Sequence, residues 1–145
     1  MSTISGLDVL VGFAEAEAAP EVVWSLVDAG ARVTAFARKG VASALRHSRH
    51  VVCRDITPPE TDAARAVADL QAVQRDMGQG RTTRLLFPLD DTGVWLCNQV
   101  LLDGNWLLAG PRGANVEVAL NKGLQVALAR ECGFNVPESA VVHTR

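Results

Sequence analysis

The turn Pro88-Leu89-Asp90-Asp91-Thr92 sets two carboxylates and a hydroxyl directly after the apolar run Leu85-Leu86-Phe87. If that run is a parallel strand, the turn stands at the carboxyl end of the sheet, where open α/β sheets bind ligands. An aspartate there has two uses. It can cap the next helix by accepting from orphan first-turn amides, or it can meet a cationic or amine-bearing substrate. Glu15, in the loop after the first apolar run, is the carboxylate expected to join Asp90, Asp91 and Thr92 as a substrate-binding group. Lys122 stands near the start of a late helix, the end of the dipole that disfavours a cation. An anionic ligand would explain that placement, and so would ordinary solvation.

Other constellations are missing. The chain has no G-x-S-x-G elbow, no H-E-x-x-H, no C-x-x-C and no phosphate loop ending in Gly-Lys-Ser/Thr, so no catalytic residue is assigned. After the first apolar run only Gly12 is present of the three spaced glycines a dinucleotide fold uses, and Glu15 and Glu17 would repel a pyrophosphate. His47, His50 and His143 share no spacing that would bring two onto one metal, and no metal ligand is expected. Cys53, Cys97 and Cys132 form neither a disulfide framework nor a zinc pattern and read as small buried apolar side chains. Trp24, Trp95 and Trp106 sit in apolar patterns and are expected in the core.

Positioning these groups requires alternating strands and helices. Strands are predicted over 8–13, 31–37, 50–54, 85–87 and 106–109. The first helix starts at Pro20-Glu21, carries Val22, Val23, Leu26 and Val27 on one face and ends at Gly30. A short helix or turn carries Leu45. Thr57-Pro58-Pro59-Glu60 has the form of a capping box, predicting a helix from there to Met77, with Gly78 and Gly80 ending it. Asp90 or Asp91 caps a helix reaching about Leu102, closed by Gly104. Asn115 is the expected cap of a helix over 116–120, and a further helix over 124–131 ends at Gly133, before strand-like 140–142. Because the strands are apolar throughout, both sheet faces should be covered. The expected fold is α/β, doubly wound, with a mostly parallel five-stranded sheet. Its most exposed loop is expected at 78–83.

With 145 residues and 48% of them hydrophobic, the chain can bury a core without disulfides or a structural metal. A formal charge of −2 gives no footprint for phosphate-backbone binding, so nucleic acid is not expected as a partner. Nor is a membrane, since no run approaches ~18 apolar residues and no secretory pattern opens the chain. A cytoplasmic protein is expected. The cluster formed by Leu101, Leu102, Trp106, Leu107 and Leu108 fits either a core or the interface of a homo-oligomer.

Asn121-Lys122-Gly123, followed by a helix and then Gly133-Phe134-Asn135-Val136-Pro137-Glu138-Ser139, resembles the N-terminal, pre-ATP-grasp domain of ATP-grasp superfamily ligases of the carbamoyl-phosphate-synthetase and biotin-carboxylase kind. That family places Asp-Lys, a helix of about ten residues, then Gly-Ile-Pro-x-Pro and a small hydroxyl residue there. Phe87-Pro88-Leu89-Asp90-Asp91 is similar to its strand-proline-acid turn, and Ala109-Gly110-Pro111 to the turn before its Asp-Lys helix. Asn121 stands in place of Asp and Asn135 in place of the first proline. The resemblance implies a Rossmann-like pre-ATP-grasp domain over 1–113 and, over 114–145, the connecting helices and first strand of an ATP-grasp domain. It implies a full-length enzyme that uses ATP and Mg²⁺ to convert a small-molecule carboxylate to an acyl-phosphate, which an amine or thiol then attacks. It implies that Lys122 reaches the nucleotide. The groups that hold ATP and metal belong to a C-terminal ATP-grasp domain, the expected partner, so this chain alone should be non-catalytic and should not hold either cofactor tightly. The alternative, from the residues alone, is a free-standing α/β module that binds a small ligand or regulates.

Overall fold

A computed structural model of the chain describes residues 6–78, 82–138, 140 and 142. Its sheet has five strands, β1 (Asp8–Gly12), β2 (Arg32–Arg38), β3 (Val51–Ile56), β4 (Arg84–Pro88) and β5 (Trp106–Leu108), all parallel, in the order β3-β2-β1-β4-β5. The helices are α1 (Ala19–Asp28), α2 (Ala63–Asp76), α3 (Asp91–Cys97), α4 (Ala114–Leu120) and α5 (Lys122–Glu131), with a 3₁₀ turn over Ala44–His47. The fold is the doubly wound α/β fold that the apolar strands predict.

Alternation along the strands divides the core. Val9 and Val11 of β1 join Val33, Ala35 and α1's Val23 on one face. Leu10 joins Phe36, Leu86, α2's Leu70 and α3's Leu96 on the other. β1 is buried along its whole length because it has a hydrogen-bonded strand on each side and helices on each face. Truncating a fully buried leucine such as Leu10 to alanine costs about 2–5 kcal/mol.

The helix ends explain where the predicted bounds shift. α1 stops as expected: Gly30 takes φ 94°, its amide donates to Val27 O and that of Ala31 to Leu26 O. α2 does not begin at the capping box. Thr57 donates through both N and Oγ1 to Asp69, Glu60 is drawn to Arg38, and Pro58 O closes a turn with the amides of Thr61 and Asp62. The helix starts one turn later, where Asp62 accepts from Arg65 N at 2.9 Å. α3 ends at Cys97, not near Leu102, because Asn98 folds its side-chain amide back onto Val94 O at 2.8 Å. Val100 then returns to the core while Leu101 is 78% exposed.

Two side chains expected inside lie outside: Trp24 is 56% exposed on α1, and Cys132 is exposed whereas Cys97 is buried. Burial pushes the Cys97 thiol pKa upward, and Cys53's likewise. The edge strand β5 is short and pairs only with β4, exposing Leu107.

The chain forms two compact units, Met1–Gly110 and Pro111–Arg145. In the second, α4 follows Gly113, whose φ of 58° suits only glycine, and Asn115 lies within the helix, its amide donating to Arg112 O. The expected Asn115 cap is therefore not used. Asn121 caps α5, accepting from Leu124 N at 3.2 Å, and Gly133 ends it at φ 80°. Ala140 and Val142 lie in no strand. Val141, Ser139, His143 and Gly80 are outside the described residues. Among the described residues, no helix is long and apolar enough to cross a membrane.

Candidate functional site

The strand order reverses direction between β1 and β4, and the carboxyl end of such a switch point is where open α/β sheets bind ligands. Gly12 is the last residue of β1 there. A Cβ there would fall inside the Phe36 ring, so only glycine fits. The Gly12-Phe13 peptide is cis, Gly12 O accepts from Leu89 N at 2.6 Å, and Ala14 N donates to Phe36 O at 2.8 Å. Ser43 Oγ donates to Ala14 O at 2.6 Å, pinning the same loop from the 3₁₀ turn side. The first loop is thus tied to β2 and to the β4 turn through its backbone.

Arg38, the last residue of β2, occupies the middle of this edge. Its Nη1 donates to Glu15 Oε1 at 2.8 Å and lies 3.7 Å from Asp90 Oδ2; its Nη2 and Nε donate to Glu60 Oε1 at 2.8 and 3.0 Å. The guanidinium carbon stacks 3.7 Å from the Phe13 ring centroid, and Phe13 meets Phe36 edge-on at 5.1 Å. Three carboxylates thus surround one guanidinium, an excess of two negative charges. Burial lowers the Arg38 pKa, but hydrogen bonds to Glu60 and Glu15 outweigh it and the value is raised; the same bond holds Glu60 below the ordinary carboxylate range. The Arg38 and Glu15 side chains are only 16% and 13% exposed. Glu15 Oε2 is buried and has no hydrogen-bond partner among the described residues.

Asp90 does cap α3, accepting from Gly93 N at 2.6 Å with Oδ1, while its Oδ2 faces Arg38. Asp90 is therefore the aspartate of the pair that caps, and its second oxygen faces the chain's own guanidinium. Asp91 is exposed on the first turn of α3 and Thr92 is half-buried beside it. Lys122 belongs to the second unit, exposed on the first turn of α5, with Nζ donating to Gln125 Oε1 at 3.3 Å. Of the expected residues, then, Glu15 and Asp90 come together, and the cation they meet is the chain's own. Arg38 and Glu60 were not foreseen. The signal for Arg38 was present, a charge closing the apolar strand Val33-Thr34-Ala35-Phe36-Ala37 at its carboxyl end.

The carboxyl edge does not fit ATP or Mg²⁺. Its excess charge is negative, and the first-loop amides of Ala14, Ala16 and Ala19 are spent on Phe36, Phe13 and Ala16 carbonyls rather than left to cradle a phosphate. Its carboxylates are turned onto Arg38, and no group of three metal-ligating side chains exists among the described residues. What the arrangement can do is accept hydrogen bonds from a cationic donor. Comparison with protein-family models, curated proteins and solved structures returned no match.

Proposed function

We propose that the α/β unit is the substrate-contacting, interdomain module of an ATP-dependent carboxylate-amine or carboxylate-thiol ligase, and that its carboxyl edge holds the amine-bearing substrate. The observation that carries this reading is the unpaired buried oxygen of Glu15 beside an excess of negative charge. An acceptor left unpaired in low-dielectric surroundings is costly unless a donor arrives. An ammonium supplies that donor and neutralises part of the excess. Arg38 holds the carboxylates in place, and Asp91 and Thr92, on the first turn of α3, are the further groups assigned to the substrate. The ligase assignment is supported by the turn Pro88-Leu89-Asp90-Asp91 standing at the end of β4 and by Asn121 capping the helix that carries Lys122. ATP and Mg²⁺ belong to the ATP-grasp domain of the full-length ligase, with Lys122 directed to the nucleotide there.

Titration of the ¹⁵N-labelled chain tests this. Alaninamide, a primary ammonium without a carboxylate, should shift the amides of Phe13, Glu15, Arg38 and Leu89, and MgATP should not bind with sub-micromolar affinity. Tight MgATP binding at the carboxyl edge would overturn the reading.

A further inference from the structure

At the other edge of the sheet, where strands begin, lies a cavity of about 510 Å³. Arg84 and Trp106, the first residues of β4 and β5, border it together with Gln74 and Arg75 from the last turns of α2 and Asp103 from the loop before β5. Its size is that of small-molecule pockets.

Two of its polar side chains are unusual. Arg84 and Gln74 are each only 6% exposed, and Arg84 Nε and Gln74 Nε2 are buried without a hydrogen-bond partner among the described residues. Arg84 has poor compensation elsewhere. Its Nη2 reaches Met77 O only at 3.4 Å, and its Nε is 3.9 Å from Asp8 Oδ2. Both oxygens of Asp8 already accept from Arg32, at 2.6 and 3.0 Å. Arg84's guanidinium carbon lies 5.9 Å from the Trp106 ring centroid. The charged groups of the lining are Arg75, Arg84 and Asp103, and Asp8 beside it already accepts from Arg32, so the balance at the cavity is one positive charge.

We propose that this cavity is a second ligand site, which takes a small organic monoanion, its carboxylate on Arg84 and Gln74 and its flat apolar body against Trp106. Buried, unpaired donors on a guanidinium and an amide are built to receive acceptor oxygens. A carboxylate matches the guanidinium fork and its single charge. A phosphate dianion would bring a second negative charge beside Asp8 and Asp103. The site is independent of the reading given to the carboxyl edge.

The test is titration of the labelled chain with benzoate, with benzamide as neutral isostere and inorganic phosphate as the competing anion. Benzoate should give saturable shifts of the Trp106 indole and of the Gln74, Arg75 and Arg84 amides, and the other two compounds should not. Gln74→Leu should weaken benzoate about tenfold, the worth of one charge-assisted bond, while leaving the unfolding midpoint equal or higher because an orphan amide is removed. Arg84→Lys should weaken it at least as much; if that variant fails to fold, Gln74→Leu decides. Absence of benzoate shifts, benzamide binding as well as benzoate, phosphate binding better, or a Gln74→Leu variant that binds benzoate like the parent would each overturn the proposal.

Discussion

Arg38 is where charge, burial and position meet, and its loss should be felt through Glu15. Replacing Arg38 with methionine keeps the packing on Phe13 but leaves the Glu15 carboxylate buried without its cation, which costs on the order of 3 kcal/mol. Urea unfolding of Arg38→Met should show that loss, and the double variant Arg38→Met/Glu15→Gln should recover most of it. Equal destabilisation of single and double variants would mean that packing, not charge, sets the cost. Asp69 gives a pH-dependent prediction. Burial pushes its pKa up, but the two bonds from Thr57 and the Arg65 pair outweigh this and the folded value is lowered. A lowered folded pKa adds stability above the unfolded value of about 3.9, and that stability disappears as pH falls through the folded value. Asp69→Asn should therefore flatten the acid limb of the stability curve below about pH 4 and lower stability at neutral pH.

At the scale of elements, much of the fold was legible because the strands are short apolar runs and the helices stop at Gly30, Gly78 and Gly133, all at positive φ. The starts were less legible. Thr57-Pro58-Pro59-Glu60 meets every local condition of a capping box, yet both side chains are claimed by distant partners, Asp69 and Arg38. Long-range ion pairs leave no trace in local spacing, so the charge that closes β2 at Arg38 is visible in the sequence but its partners Glu15 and Glu60 are not. Asp62→Ala should cost about 1 kcal/mol by removing the cap of α2, whereas Glu60→Gln should leave helix content unchanged. Thermal melts followed by circular dichroism separate the two. At α3, Asp90→Ala should cost a similar ~1 kcal/mol, but Asp91→Ala, exposed on the same turn, should stay within about 0.5 kcal/mol. Gly12→Ala is a harsher change. Its methyl group competes with the Phe36 ring, and overpacking at such a site costs about 3 kcal/mol or more.

For the whole molecule, the two compact units place Glu15, Arg38, Glu60 and Asp90 in the first and Lys122 in the second. The first unit holds both faces of the core, so a chain ended at Gly110 should keep cooperative unfolding at a midpoint close to that of the full chain. A broad, non-cooperative melt would show that 111–145 is needed for the core. The two edges of the sheet carry opposite excess charge, negative around Arg38 and positive around Arg84, so ligands of opposite sign should be told apart by which edge they perturb. The central claim is that the carboxyl edge receives an ammonium on the unpaired oxygen of Glu15. Calorimetric titration of alaninamide into the parent chain and into Glu15→Gln, with N-acetylalaninamide as neutral control, tests it most directly. The account predicts binding to the parent that is weakened about tenfold or more in Glu15→Gln and absent for the acetylated control. Equal affinity of both chains, or equal affinity for the neutral compound, would contradict it.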